Sequence, residues 1–431
     1  MLDNPSSEAA PGASSGSIES RFELVTIRLP VVATFAALVL GLGAGVVLSS
    51  ADLAMWLQDS IALIGTLWLR ALQMTIIPLV AALLVLGLSQ MVEAASAGRA
   101  ARRFLLLVIG VAITGGLFTA VTLPWLLDVF QIPADAAGFI AESAGEGQEV
   151  PGILDFLKSL IAPNIIAAAA ETNMLPLTIF FALFAIAITR LPERQGESLL
   201  GFFHAIANAM LLIIGWVLWI APIGVAALAF GVGLRSGGSA FAVLGHYILV
   251  VSAMGGFIFL LAYAVAVVLG RVSLAKFARA ILPAQAVAVS TQSSLASLPA
   301  MLDSASRLGL RASTSEFVLP LAVAIFRATS VAMNLAVALY VAALAGIEVP
   351  FALMLVGIAV AVVISIGSVS LPGSISFVVS IGPIALAMGV PIEPLVLLVA
   401  VEMLPDIMRT LGNVTMNVAV ASAVDRSRDQ A

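Results

Sequence analysis

Five polar residues inside one apolar stretch are the part of this chain with the means to do chemistry. From Pro394 to Val424 the sequence is hydrophobic and long enough to cross a bilayer. It nevertheless carries Glu402, Asp406, Arg409, Asn413 and Asn417. Their steps of 4, 3, 4 and 4 put all five on one face of a helix. A charge at membrane depth is expensive, so such side chains face a cavity and mark a substrate or ion path. A buried ion pair gluing helices together is the simpler alternative. A stripe of this length costs too much for glue alone and points to a binding site for a charged solute.

The stretches that must hold this face are interrupted in a repeated way. Leu282–Met301 is broken by Ser290-Thr-Gln-Ser-Ser294 and Ser297-Leu-Pro299. Phe351–Met388 is broken by Ser365-Ile-Gly-Ser-Val-Ser370 and Leu371-Pro372-Gly373. Each is followed by a full span, Phe317–Ala345 and Pro394–Val424, with an arginine at mid-membrane, Arg327 and Arg409, and Thr and Asn after it. Paired, interrupted hydrophobic segments at matching places point to a transporter's binding site. Broken backbone at that depth is tolerated only where it lines a cavity or is covered by protein.

Composition agrees. The chain has 431 residues, 61% hydrophobic and 10% charged, with mean hydropathy +1.16. That describes an all-α polytopic membrane protein. A net charge of −5 makes no case for nucleic acid, and the absence of Cys excludes thiol chemistry and disulfides. His204 and His246 lie in separate segments and read as packed or interfacial rather than as metal ligands. Met1–Glu23, rich in Ser, Ala, Gly and Pro, reads as a disordered tail. Further apolar spans lie near Pro30–Leu48, Ile61–Val92, Phe104–Trp125, Ile165–Ile188, Phe202–Phe230 and Leu244–Leu269. The second is longer than a bilayer needs, so it should tilt or bend. Trp56, Trp125 and Trp219 sit near span ends and suit the interfacial belt.

Charge placement decides whether the broken stretches cross. With both as re-entrant hairpins and a cytoplasmic N-terminus, the basic residues outside the spans fall inside, except Lys158 and Arg235. That obeys the positive-inside rule; a crossing first stretch would move Arg307 and Arg311 outside. The expectation is eight transmembrane helices plus two opposed re-entrant helical hairpins, in inverted repeats, with both termini cytoplasmic.

On these residues the chain resembles the dicarboxylate/amino acid:cation symporter family, the glutamate transporter fold. The marks run from about Arg28 to Val424. They are Gly65-Thr-Leu-Trp-Leu-Arg70-Ala-Leu-Gln-Met74-Thr-Ile-Ile-Pro78, Asn173-Met-Leu-Pro176, Ser293-Ser294-Leu-Ala-Ser-Leu-Pro299, Ser365-Ile-Gly with Pro372-Gly373, and Asp406-x-x-Arg409-Thr410-x-x-Asn413-Val. Any one is weak; five in the family's order are strong. The resemblance implies an elevator-type homotrimer in a plasma membrane of bacterial inner-membrane type. Residues 1–23 and 425–431 would be cytoplasmic tails. Residues 24–101 would hold scaffold helices 1–2, and 129–233 an extracellular loop and scaffold helices 4–5. Residues 102–128 and 234–424 would form the moving transport domain. It further implies that Arg409 takes a substrate's side-chain carboxylate, which suits a planar fork, and that Asp406 takes its amino group. Thr410, Asn413 and Ser330 match further substrate contacts. Ser293 and Ser294 match the first hairpin tip, which meets the α-carboxylate, and Pro372 and Gly373 match the gating second tip. Asp406 favours an amino acid over a plain dicarboxylate, and Arg409 an acidic one over a neutral one.

One departure bears on coupling. Where sodium-coupled members have Asn-Met-Asp-Gly-Thr, this chain has Phe326-Arg327-Ala328-Thr329-Ser330, and a sodium-binding Asp of the last span is Asn417. The expected coupling ion is therefore none, a proton, or a residual sodium held by backbone carbonyls; no organic cofactor is expected. Arg327 either pairs structurally with Glu402 or a helix C-terminus, or supplies positive charge beside the degenerate sites. Glu402 either carries a proton or only neutralises Arg327. The reading is thus a carrier of aspartate or glutamate with weak or absent sodium coupling. A proton-coupled C4-dicarboxylate carrier and an anion-conducting channel on the same fold are the alternatives. An intramembrane hydrolase using Ser293 or Ser294 fails, because no His or Lys stands near to act as base.

Overall fold

A computed structural model describes residues 31–49, 54–96, 98–133, 161–171, 173–236, 239–367, 373–392 and 394–426. Among them the regular structure is entirely helical. In order the helices are α1 Val31–Leu48, α2 Met55–Gln73, α3 Ile76–Ser96, α4 Arg99–Val129, α5 Ile165–Ala170, α6 Met174–Ile188, α7 Glu193–Trp219, α8 Ala221–Ser236 and α9 Ser239–Val268. They continue with α10 Leu274–Thr291, α11 Leu298–Leu308, α12 Ala312–Ile325, α13 Ser330–Leu344, α14 Phe351–Gly367, α15 Gly373–Ala387, α16 Leu395–Val399 and α17 Met403–Arg426. Five helical stretches among the described residues are long and apolar enough to cross a membrane, and Ala33–Leu48, Pro176–Ile188, Ala221–Leu234 and Phe351–Ile366 are shorter apolar helices. The N-terminal tail, Lys158 and Pro372 lie outside the described residues.

Several expected spans are divided, and proline accounts for most of the divisions. The long second run is interrupted at residues 74–75, where α2 gives way to α3; Pro78 cannot donate to Met74 and its ring crowds that carbonyl. The fourth run is interrupted before Asn173, with Pro176 in the first turn of α6, where a missing N–H costs nothing. The fifth divides at Ile220, two residues before Pro222. These breaks let one hydrophobic run serve two partners. α2 packs on α8, whereas α3 packs on α6, α7 and α14. Trp56, Trp125 and Trp219 stand exposed close to the ends of α2, α4 and α7.

Close backbone contact joins α1 to α8. A Cβ added at Gly45 would strike the carbonyl of Phe230, and one at Gly233 the carbonyl of Leu42. Small residues at such a seam let van der Waals packing replace the hydrophobic drive that lipid cannot supply. Elsewhere α17 is enclosed by α9, α10, α12 and α11. Gln285 on α10 donates to Thr415 on α17 at 3.1 Å and to Tyr263 on α9 at 3.0 Å. His246 on α9 pins the end of α4: its Nε2 donates to the Phe130 carbonyl at 2.8 Å, while Nδ1 meets Tyr340 Oη at 3.0 Å. Both histidine nitrogens are thus packed and hydrogen-bonded.

α10 and α11 pack against each other and are joined by a tight tip over residues 292–297. Gln292 takes a left-handed conformation, φ 50°, to end α10. Ser293 Oγ then accepts from the Ala296 N–H at 3.2 Å, and Ser297 Oγ donates to the Ser293 carbonyl at 2.8 Å. The Ser-rich break is therefore the set of side chains that closes this turn.

Candidate functional site

Two expected helices are not continuous where the polar residues lie. The expected seventh span is unwound between α12 and α13, over Phe326–Thr329. The expected eighth is α16, a turn over Ala400–Glu402, and α17. Glu402 is therefore not on the helical stripe. It caps α17 from the preceding turn, its carbonyl accepting from the Asp406 N–H at 2.9 Å. Pro405 sits in the first turn of α17, where the helix needs no donor from it.

The turn aims Glu402 back at Arg409. Arg409 Nη2 donates to Glu402 Oε1 at 2.6 Å, Nε lies 3.4 Å from Asp406 Oδ1, and Nη1 donates to Asn334 Oδ1 on α13 at 2.8 Å. Tyr247 on α9 donates to Glu402 Oε2 at 3.0 Å. All five side chains are buried, Tyr247 completely and Arg409 at 8% exposure. Glu402 thus pairs with Arg409; the expected alternative of a Glu402–Arg327 pair is not what the geometry gives. Arg327 lies in the unwound segment, where, among the described residues, Asp406 and Arg409 are charges that act on it.

The unwound segment is held by α17. The Thr329 N–H donates to Asn413 Oδ1 at 2.9 Å, and the Thr329 hydroxyl lies 3.0 Å from that oxygen and 3.2 Å from the Arg409 carbonyl. Gly412 makes the approach possible: a Cβ there would lie 2.5 Å from Thr329 Cγ2. The two repeated units therefore serve each other. Asn413 of the second satisfies Thr329 of the first, and Asn334 of the first accepts from Arg409 of the second. Asn413 spends its oxygen on Thr329. Thr410 and Ser330 are buried beside these groups, Ser330 opening α13.

Among the described residues no hydrogen bond joins Ser293 or Ser294 to the Arg409 cluster; both are half-buried at the α10–α11 tip. Gly373 opens α15. Tyr247 and Asn334 were not anticipated as site residues. Asn334 had a signal, as the Asn following Arg327 in the repeat, and Tyr247 is one of only three tyrosines, in an apolar run.

The degenerate sodium positions are packed with hydrocarbon. Phe326 is buried, its ring edge-on to Phe104 with centroids 6.2 Å apart. Ala328 is buried in the same apolar cluster. Asn417 is fully buried, and among the described residues neither its Oδ1 nor its Nδ2 has a hydrogen-bond partner. A hard cation wants several oxygens, carboxylate above all. Those three side chains offer one neutral amide and no carboxylate.

Against this geometry, a model of the sodium:dicarboxylate symporter family matches residues 31–427. The chain belongs to that family. It is a multi-pass membrane transport protein and not an enzyme. A proton/sodium-glutamate symport protein of Bacillus subtilis is 26% identical over 398 residues, which cover 91% of each chain. A proton/glutamate-aspartate symporter of Escherichia coli is 27% identical and covers 82% of each. The neutral amino acid transporter B(0) of Bos taurus is 26% identical, covering 90% of this chain and 77% of its own length. In this member of the sodium:dicarboxylate symporter family, Arg409 of the last helix stands at the centre of a buried polar cluster.

Proposed function

We propose that the protein is a secondary transporter of acidic amino acids, aspartate or glutamate, in which sodium coupling is weak or absent. The observation that carries this reading is the buried Arg409 fork with Asp406 one turn before it. A planar guanidinium suits a carboxylate, and Asp406 beside it suits an ammonium group. A substrate with both, at the spacing of a short acidic amino acid, satisfies the pair. Relatives named for glutamate and aspartate transport support it. Thr410, Ser330 and Asn413 Nδ2 supply the remaining polar contacts. In the working cycle the α10–α11 tip, with Ser293 and Ser294, and the tip at Pro372–Gly373 act as re-entrant gates over the α-carboxylate. The transport domain, residues 102–128 and 234–424, moves as an elevator against a trimeric scaffold, with both termini in the cytoplasm of a bacterial-type inner membrane.

The sodium part rests on Phe326, Ala328 and Asn417, which put an aromatic ring, a methyl group and an amide where a cation would need charged oxygens. Arg327, tethered in the break, offsets substrate charge without being able to leave with it. A C4-dicarboxylate carrier is the weaker reading, because Asp406 would then face a carboxylate. Uptake of radiolabelled aspartate, glutamate and succinate into proteoliposomes decides between them. Saturable, stereoselective aspartate or glutamate uptake supports the proposal; succinate uptake alone, or unsaturable flux, refutes it.

A further inference from the structure

Leu282, Ala286 and Val289 are exposed on α10, Leu282 at 59% and Val289 at 44%. With Arg279, also exposed, they follow steps of 3, 4 and 3 and share one face of the helix. The opposite face, where Phe277, Ile281 and Ala288 are buried, packs on α11, α17 and α9. On α9, which is long and apolar enough to cross a membrane, Leu260 and Val268 stand exposed as well. From Arg279 to Val289 the helix rises about 15 Å. That is half of a bilayer's hydrocarbon thickness of about 30 Å, the depth of one leaflet.

The basic residues at this end of the hairpin differ in what they hold. Lys276 Nζ donates to the Leu308 carbonyl at 2.9 Å, Arg307 pairs with Asp303 at 2.8 Å, and Arg311 pairs with Asp425 at 3.0 Å. Among the described residues, Arg279 and Arg271 have no hydrogen bond or ion pair. Arg271 is exposed just before Ser273, the N-cap of α10, and is held in the left-handed region at φ 51°.

We propose that the outer face of α10 is a slot for one anionic phospholipid. The lipid's phosphate sits on Arg279, with Arg271 as a second cation, and an acyl chain lies along Leu282, Ala286 and Val289. The inference is independent of the substrate and rests on the placing of α10 and α11 as a membrane hairpin. A guanidinium forks onto a phosphate as it does onto a carboxylate. Its stem lies along apolar surface while its charge reaches the headgroup layer. Arg271 disfavours a headgroup that carries a cation of its own. A protein occupant fits this face less well. Helices that meet within lipid do so through small residues, as α1 meets α8 at Gly45 and Gly233. The α10 face offers Leu and Val, and a protein covering it would also have to bring an acid to Arg279.

The full-length chain has no cysteine, so Ala286→Cys can carry a single fluorophore. In nanodiscs the label is exposed to phosphatidylglycerol or phosphatidylcholine bearing a nitroxide quencher midway along one acyl chain. Quenching by phosphatidylglycerol should set in at a mole fraction lower by on the order of tenfold, since each cation at the headgroup layer favours an anionic lipid. Arg279→Gln should largely abolish that preference, whereas Arg307→Gln, whose charge serves Asp303, should keep it. Equal quenching by both lipids means bulk lipid only and overturns the slot. So does a preference that survives Arg279→Gln, or one lost equally in Arg307→Gln. Quenching by neither lipid nor aqueous iodide means that protein covers the face, and overturns it too. Quenching by iodide alone puts α10 in water; the hairpin's membrane placement then fails with the slot, which the other outcomes leave standing. Should Arg279→Gln not assemble, the comparison of the two lipids in the labelled parent decides.

Discussion

Arg409 donates to Glu402 and Asn334, lies against Asp406, and sits in a place where a lysine would carry the same charge with a different shape. A guanidinium presents several donors in a fixed plane; an ammonium is a point charge. Arg409→Lys should therefore keep the pocket neutral and the protein folded while losing the fork. Aspartate binding, measured by calorimetry, should fall by about 2–5 kcal/mol, with thermal unfolding in detergent little changed. Unchanged affinity would remove Arg409 from the role of anchor. Asp406→Ser acts on the other end of the substrate. Succinate should then compete better against aspartate, because the ammonium loses its partner; an unaltered ratio counts against that assignment. These residues were legible in the sequence, since charge recurring at helical spacing in an apolar run stands out without any neighbour. Tyr247 and Asn334 were not, because each is a lone polar residue whose purpose lies on another helix.

At the scale of elements, what matters is where helices stop. Proline explains the breaks at Met74, Asn173 and Ile220, so those were open to a sequence reading, although only the first run was expected to bend. The break over Phe326–Thr329 has no proline at its centre. It is stable because Asn413 supplies the acceptor that the Thr329 N–H lacks, an arrangement set by tertiary contact and invisible in the local sequence. The same holds for Glu402: helical periodicity placed it on the stripe, whereas the turn over Ala400–Glu402 swings it round to meet Arg409. Gly412 is the space that lets the two units touch. Gly412→Ala should push Thr329 away and lower stability by about 1–3 kcal/mol, seen as a lower midpoint in detergent unfolding, with weakened aspartate binding. A midpoint and affinity equal to the parent's would show that the contact carries no weight.

For the whole molecule, the issue is which gradient drives it. Sodium arriving with substrate both offsets charge and does work; a tethered guanidinium does only the first. Phe326 and Ala328 are buried in one apolar cluster, and Arg327 stands between them in the chain. Arg327→Met should weaken aspartate binding without creating sodium dependence, since Ala328 and Asn417 remain; sodium-dependent binding in that variant would contradict the account of Arg327. The most direct measurement is radiolabelled aspartate uptake into proteoliposomes of the unmodified protein, with external sodium replaced by choline. Saturable aspartate uptake at nearly the same rate in both media is the predicted result. A steep dependence of that uptake on sodium would contradict it.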